Sequence, residues 1–577
     1  MNRNETNRFA TNPINLDISR STFNRDHKVL FSFNVGDVIP FYIDEVLPGD
    51  TFSVDTAKVV RMQPLVTPIM DNVYLDTYYF YCPTRLVWEH WKQFNGENTE
   101  SAWTPSVEYS IPQTVIPSGG YDEGTIADYL GVPIRVGPGQ KISSLPFRVY
   151  AKVMDDWFRD ENLMDPVHVS TGDEDTQGQN SSDQVSDVEK GGAPFIACKY
   201  FDYFTACLPG AQKAAGPSVE FALRGLLPVD AYQSKVTPAF QPGSESGSGE
   251  YDYSTYHPMY FKAVGSGGEW NNLSGKHVLE VNNGYTNVNS ATSTSTQWNV
   301  APSNLFADLN NTSVFDINEL RTAFAIQRFY EKQARGGSRY IEYIKTFFNV
   351  DSPDARLQRS EYLGGNRLPL NVGSVEQTSA TEVGLTPQGN LTGLSETGDV
   401  HSDFTKSFTE HGYILGVCVA RYHHTYQQGI ERHWLRKTLF DFYNPTFANL
   451  GEQGVKTWEI YFDHATAGDL TKTFVSKDSI FGYQEAWADY RYKPSRVAGE
   501  MRSAYLEGSL DCWHLADYYT SQPYLGDEWI REDKTMLDRC LAVTSNVSNQ
   551  LIADFYITCK ATRPMPLYSI PGLIDHH

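Results

Sequence analysis

The clearest pattern of apolar and polar positions lies between Asp26 and Asn98. Val29, Phe31 and Phe33 alternate with smaller or polar residues, the period-two signature of a strand with one buried face. Pro48-Gly49-Asp50 predicts a turn, because Pro presets φ and Gly tolerates positive φ. Beyond it Phe52 and Val54 alternate with Thr51, Ser53 and Asp55. The run Val73 to Tyr81 is almost wholly aromatic and β-branched, with Asp76 its only charge, and Pro83 stops it. Val87, Trp91 and Phe94 then recur at helical spacing, and Asn95-Gly96 is a helix stop.

The same reading carries along the chain. Residues 1–28 are polar and predict an arm with little structure of its own, or a frayed end. Thr125 to Gly131 predicts a short helix. Ser144 is placed to cap another, with Pro146 in its first turn and Tyr150, Val153, Met154, Trp157 and Phe158 on one face. The acidic stretch 165–192 predicts a surface loop. Asp316 with Glu319 makes a capping box for a helix ending at Gly336-Gly337, and Ser338 can cap a second with Ile341, Ile344 and Phe348 on one face. Leu363 to Asn366 predicts a Gly-rich turn and 376–404 a long loop. Strands are expected at Gly412–Thr425, at Lys456–His464 with Trp458, Ile460 and Phe462 on one side, and at Ala553–Ala561. No internal repeat is visible, which disfavours a solenoid or propeller.

Composition sharpens this. At 577 residues the chain could hold several domains, or one β-rich body with long insertions. Aromatics make up 13% and charged residues only 20%, which favours surfaces built for contact. A formal net charge of −23 argues against a whole-protein nucleic-acid binder. The charge is uneven, with eleven acidic against two basic residues in 155–192, and nine basic against five acidic in 321–367. Seven scattered cysteines with no Cys-x-x-Cys spacing suit buried thiols in a reducing compartment. The first residues lack the apolar core of a secretion signal, and no apolar run is long enough for a membrane span.

Enzyme signatures are missing: no phosphate-binding Gly-rich loop with Lys, no H-E-x-x-H, no G-x-S-x-G. Asp173-x-Asp175-x-Gln177-Gly178 imitates the start of a calcium loop but has Gln184 where the bidentate Glu belongs. His423 and His424 are adjacent in an expected strand and point to opposite faces, so they do not share a metal. No catalytic, cofactor-binding or metal residue is assigned, and no cofactor is expected. Binding chemistry is better represented. Single-stranded nucleic acid is held by cations that track phosphate and aromatics on which bases stack. Arg335, Arg339, Tyr340, Lys345, Arg356 and Arg359 mix both kinds, as do Tyr490, Arg491, Tyr492, Lys493 and Arg496. Each cluster suits DNA or an ion-pair cluster between subunits.

Several long segments point to a family. IPFYIDEVLPGDTF, VDTAKVVRMQPLVTPIMDNVYLDTYYFYCPTRLVWEHWKQFNGEN, KYFDYFTACLPGAQKAAGPSVEF, LRTAFAIQRFYEKQARGGSRYIEYIKTFFNVDSPDARLQRSEYLGG and RYKPSRVAGEMRS, in this order, resemble the major capsid protein of the microviruses, and of the gokushovirus branch most closely. The resemblance implies a mainly β fold, an eight-stranded antiparallel jelly roll with long inter-strand insertions containing short helices. It implies a structural, non-enzymatic protein that self-assembles into a T=1-type icosahedral shell around circular single-stranded DNA. Implied partners are further copies of itself, an internal scaffolding protein, a DNA pilot protein, a small basic DNA-binding protein, the packaged DNA and a host surface receptor, in the virion and, during assembly, the host cytoplasm.

The expected organisation is an arm at 1–28, first jelly-roll strands with helical insertions at 29–229, a surface insertion at 230–312, and the remaining strands at 313–577. The insertion is rich in Tyr, Ser, Gly and Asn, a mix found in binding loops. The family carries an insertion here that projects at the three-fold axes. This makes Tyr251, Tyr253, Tyr256, Tyr260, Trp270 and Tyr285 host-facing candidates. A second reading, a β-sandwich that binds or hydrolyses carbohydrate, would also suit Tyr- and Trp-rich loops.

Overall fold

In the computed structural model the described residues are 19–97, 107–213, 226–228, 261–264, 270–272, 277–282, 285–290, 298–302, 306–308, 317–336, 340–349, 358–378, 388–462, 476, 478–505 and 508–568. The chain divides into two compact units, one of residues 1–213 with 331–577 and one of 214–330.

Eight strands frame the first unit: β1 (His27–Phe33), β2 (Ile39–Val46), β3 (Thr51–Met62), β4 (Val73–Pro83), β5 (Glu361–Leu370), β6 (Thr397–Ser407), β7 (Gly412–Tyr422) and β8 (Leu551–Arg563). They form two antiparallel sheets, ordered β1-β8-β3-β6 and β2-β7-β4-β5. That interleaved order, with successive strands alternating between sheets except for the neighbours β4 and β5, is a jelly roll. It also protects edges, since the first-sheet centre is the chain's last strand paired to its first, Phe33 opposite Leu551.

The sheets differ in what covers them, and the sequence shows why. On β3, Phe52, Val54, Val60 and Met62 point into the space between the sheets and their neighbours point out, so the strand alternates. Phe41 from the second sheet meets Phe555 from the first edge-to-face at 4.9 Å and Tyr79 at 5.5 Å. Truncating such a ring to Ala costs about 3–5 kcal/mol. The inner strands β4 and β7 of the second sheet are buried on both faces. The sheet's outer face meets helix α1 (Leu145–Val153), whose Phe147, Tyr150 and Val153 join Phe80, Leu415, Val417 and Val419 in a second core. Ten of the eleven residues of β7 are buried, which accounts for the absence of charge from residues 412–420 within the strand expected at Gly412–Thr425. Arg148 is buried on this helix. Its guanidinium donates to the carbonyls of Val87, Gly172 and Glu174 at 3.3, 2.8 and 3.4 Å, tying distant parts of the long β4–β5 connection to the helix that packs on the sheet.

The second unit contains a five-stranded antiparallel sheet in the order Trp270–Asn272, Phe261–Val264, Trp298–Pro302, Tyr285–Ser290, His277–Asn282. A separate pair joins Leu226–Pro228 to Phe306–Asp308. The stretch 230–312 expected as an insertion thus holds strands of its own. The helix Ile317–Gly336 ends where Gly336-Gly337 predicts; Asp316 and Ser338, the expected caps, lie outside the described residues.

Several local expectations give way. Ser21–Asn24 and β1 pair with β8, so part of the expected arm is strand; residues 1–18 lie outside the described set. Val87 closes the single turn Thr84–Leu86, and Trp91 and Phe94 bound another, so the three do not share one helix. Ser144 precedes α1 but does not cap it, because its backbone is already helical (φ −80°, ψ −14°) and its hydroxyl is turned to donate to the Pro112 carbonyl at 2.9 Å. The acidic segment 165–192 is not all surface: Glu189 is buried and accepts hydrogen bonds from the Ser170 backbone N–H and hydroxyl, with His168 Nδ1 at 2.6 Å. Residues 363–366 belong to β5, with a bulge between Tyr362 and Gly364, and the described residues of the expected loop 376–404 are largely strand (Glu376, Leu391–Ser395 and the part of β6 up to Phe404). The strand expected at Lys456–His464 ends at Lys456, and Thr457–Ile460 is a helical turn begun by the Glu459 carboxylate on the Lys456 N–H at 2.9 Å.

Candidate functional site

Four of the basic candidates fall on two places joined through residues 491–493. Glu452 and Glu485 face each other across the short ladder Glu452–Lys456 with Ile480–Glu485. Arg335 bonds the first carboxylate and Arg491 the second. Residues 156 apart in sequence are thereby brought to one end of one hairpin. Lys493 bonds Glu431, whose other partners are Arg496 at 3.6 Å and His433 Nδ1 at 3.3 Å. The Lys493 hydrogen bond, with the charges around it, holds the Glu431 carboxyl below its usual range. Arg359 stacks its guanidinium 4.4 Å from the centre of the Trp157 ring. Lys345 is exposed on the helix Tyr340–Phe348, which Tyr340 opens. Arg339 and Arg356 lie outside the described residues.

Beside Glu431 a cleft of about 280 Å³ opens between the loop after β7 and residues 489–502. Its walls are Tyr203, Arg432, Trp434, Tyr490, Tyr492 and Arg496 among others. Arg432 reaches the buried Glu459 carboxylate at 3.3 Å, which also accepts from the Tyr203 hydroxyl at 2.9 Å. Burial pushes Glu459 up despite Arg432. Aromatic rings and cations thus line one open surface, the chemistry the sequence expected there, but its cations rest on carboxylates of their own chain. Contact with another macromolecule would have to exchange those partners.

Two buried charge clusters lie behind these surfaces. Asp76, the lone charge of β4, accepts from Arg367 Nε and Arg421 at 2.7 Å each, from Tyr200 at 2.7 Å and from Tyr78 at 3.0 Å. Burial alone would raise its pKa; these donors outweigh burial and hold it below the usual carboxylate range. The Tyr200 ring lies between Arg367 and Arg421, each 4.4 Å from its centre. The second cluster centres on His424, two residues past the end of β7. Nδ1 lies 2.8 Å from Asp517 and Nε2 3.0 Å from Glu532; Lys199 lies 3.4 Å from Asp517. These bonds tie β7 to the 511–532 connection. Sequence reasoning separated His424 from His423 but did not find its partners, because they lie 93 and 108 residues downstream.

Among the described residues no group of three or more His, Cys, Asp or Glu is arranged to hold a metal. Asp173, first residue of the calcium-like stretch, accepts from Trp88 Nε1 at 2.6 Å and lies 3.0 Å from His90 Nδ1. Tyr251, Tyr253, Tyr256 and Tyr260 lie outside the described residues. Trp270 and Tyr285 sit in strands of the second unit, opposite Val264 and Asn282. Among the described residues no helix is long and apolar enough to cross a membrane.

Comparison with known proteins follows the same lines. A family model described as "Capsid protein (F protein)" matches residues 13–573. The chain is 41% identical over 560 residues to capsid protein VP1 of Spiroplasma virus 4, covering 96% of each chain. It is 39% identical over 592 residues to capsid protein VP1 of Chlamydia phage 1, covering 98% of each. To capsid protein VP1 of Bdellovibrio phage phiMH2K it is 37% identical over 572 residues, covering 99% of this chain and 98% of the relative.

Proposed function

Because the chain belongs to the capsid protein (F protein) family of small phages, we propose that this structural, non-enzymatic protein closes a T=1-type icosahedral shell around a circular single-stranded DNA genome. The observation that carries the reading is the full-length match combined with a two-sheet jelly roll whose connections are far larger than its strands. A rigid sandwich fixes where the connections emerge. Repeated contacts between connections of identical copies close into a finite shell under point symmetry. Many contacts of modest strength per copy add up through multivalency, while each can be undone when the genome leaves.

The finer assignments follow from the same reading. Genome contact falls to the cluster Arg335, Arg339, Tyr340, Lys345, Arg356 and Arg359; it is independent of sequence and salt-sensitive, as phosphate contacts are. Arg491, Lys493 and Arg496, held by Glu485 and Glu431, are weaker phosphate ligands. The insertion 230–312 faces the host, with Tyr251, Tyr253, Tyr256, Tyr260, Trp270 and Tyr285 as receptor contacts. An internal scaffolding protein, a DNA pilot protein and a small basic DNA-binding protein are the other partners, met in the host cytoplasm before the virion is complete.

The test is expression of the full chain with its scaffolding partner, followed by electron microscopy. Uniform closed shells of 60 copies are expected for T=1 symmetry. A chain that stays monomeric under those conditions, or that cleaves oligosaccharides, refutes the reading. Replacing 230–312 by a short linker should leave shells intact and abolish adsorption to host cells. Unchanged adsorption overturns the receptor assignment alone.

A further inference from the structure

Between β7 and the ladder at Glu452, the chain makes three tight turns, Arg432–Leu435, Leu439–Asp441 and Pro445–Phe447. This loop is fastened from behind. Arg436 pairs with Asp489 and stacks 4.4 Å from the centre of the Tyr490 ring. Trp487 Nε1 donates to the Phe447 carbonyl at 3.0 Å, and the Tyr443 N–H to the Tyr490 hydroxyl at 3.3 Å. The Asp441 carboxylate accepts from the backbone N–H groups of Lys437 and Thr438 at 2.8 and 2.7 Å, closing the middle turn.

A loop held this firmly has already lost its conformational freedom. Yet Trp434, Leu439, Phe440, Phe442, Tyr443 and Leu450 are between 46% and 82% exposed. At roughly 200 Å² per aromatic side chain, the exposed parts of its four aromatics come to about 500 Å². The largest apolar patch on a typical single chain is about 300–600 Å², and one side of a stable interface buries about 800 Å². One loop therefore supplies more than half of one side, pre-organised, so little ordering cost remains on docking.

Charge says what kind of surface it meets. Residues 431–450 and 489–496 carry six Lys or Arg against three Asp or Glu, in a chain of net charge −23, and Glu459 and Glu485, the partners of Arg432 and Arg491, bring the local carboxylates to five. Pairing the patch with itself across a two-fold axis would offer these cations only carboxylates that are already paired. A differently placed, acidic face of another copy complements both its apolar centre and its basic rim. We propose that the Arg432–Leu450 loop is a heterologous subunit contact, docking on an acidic face of a second copy of this chain. The proposal rests on the shell-forming reading and adds to it which surface grips and in which sense. Head-to-tail contacts of this type propagate around a ring, whereas isologous ones end at a dimer.

The decisive experiment uses the full chain under conditions where the parent forms shells. Leu439→Asp with Phe440→Asp should lower shell yield on a sedimentation gradient by roughly tenfold or more, while the subunit keeps the parent's circular dichroism and melting curve. Leu439→Ser with Phe440→Ser, milder changes at the same exposed positions, should fall between the two and decides the matter if the first pair fails to fold. Lys437→Glu should weaken assembly more at low salt than at high salt. Normal shell yield from both double variants overturns the contact while leaving the shell reading intact. So do full shells that lack only DNA, or that lose only the scaffolding partner, since the loop would then face one of those. A parent that forms no shells at all overturns both.

Discussion

His424 gives the sharpest test of the packing. Both ring nitrogens face carboxylates, Asp517 at 2.8 Å and Glu532 at 3.0 Å, so the doubly protonated ring donates on each side. Burial by itself favours the neutral ring; the two carboxylates outweigh it and raise the pKa from 6.5 to about 10. A pKa higher in the folded than in the unfolded chain gives stability that is complete below about pH 6.5. That stability is lost as the pH rises through about 10. At roughly 1.36 kcal/mol per unit, the gap sets a ceiling of about 5 kcal/mol. Removing one partner of a buried ion pair costs about 3–5 kcal/mol, in the same range. His424→Gln, measured by urea unfolding of the unassembled subunit, should therefore cost about 3–5 kcal/mol at pH 6, and the difference from the parent should shrink steadily up to pH 10. A variant within about 1 kcal/mol of the parent at pH 6, or a difference that does not change over that window, would refute the reasoning.

Three further predictions use other parts of the fold. Asp76→Ala strands Arg421, whose side chain is largely buried, and should cost about 3–5 kcal/mol by denaturant unfolding; because the folded pKa of Asp76 is depressed, the parent's advantage should be present above about pH 4 and vanish as the pH falls below it. A methyl added at Gly365 would sit 2.0 Å from the Thr77 carbonyl oxygen, so Gly365→Ala should force β4 and β5 apart and lower stability by about 3 kcal/mol or more; a melting temperature equal to the parent's would contradict that close approach. Cys82, Cys207, Cys418, Cys540 and Cys559 are buried, and Cys198, though only partly buried, is pushed up to about 12, chiefly by burial. A thiol reagent at pH 8 should therefore label Cys512 first and the rest only on unfolding, and rapid labelling of three or more thiols in the native subunit would be incompatible with this packing.

Of the first four jelly-roll strands, β1, β3 and β4 were legible because their signals are local, whereas β2, apolar on both faces in its first half, shows no alternation to read. Alternation at Phe52 and Val54, the Pro48-Gly49 turn and the aromatic run to Tyr81 each need only their own neighbours. The residues 376–404 read as loop because Gly, Ser and Thr dominate there. In the structure β6 lies at the edge of the first sheet, with several side chains turned to solvent, so small polar residues fit half its positions. The glycines at 364 and 365 look like a turn but serve close contact between strands. Trp458, Ile460 and Phe462 recur every second residue, yet the Glu459 carboxylate on the Lys456 N–H starts a helical turn that no pattern of apolar residues reports. Of the surface clusters, the residue types were legible and their intrachain partners were not, because Glu431, Glu452 and Glu485 reach them only through the fold.

The last strand to leave the ribosome, β8, is also the middle of the first sheet, hydrogen-bonded to β1 on one side and β3 on the other. A nascent chain must therefore hold β1 in waiting for more than five hundred residues of synthesis before its partner exists. Any product cut short before Leu551 lacks the slat on which that wall depends. The sheet itself therefore discriminates against truncated copies, which are left with two unpaired strand edges where β8 should lie.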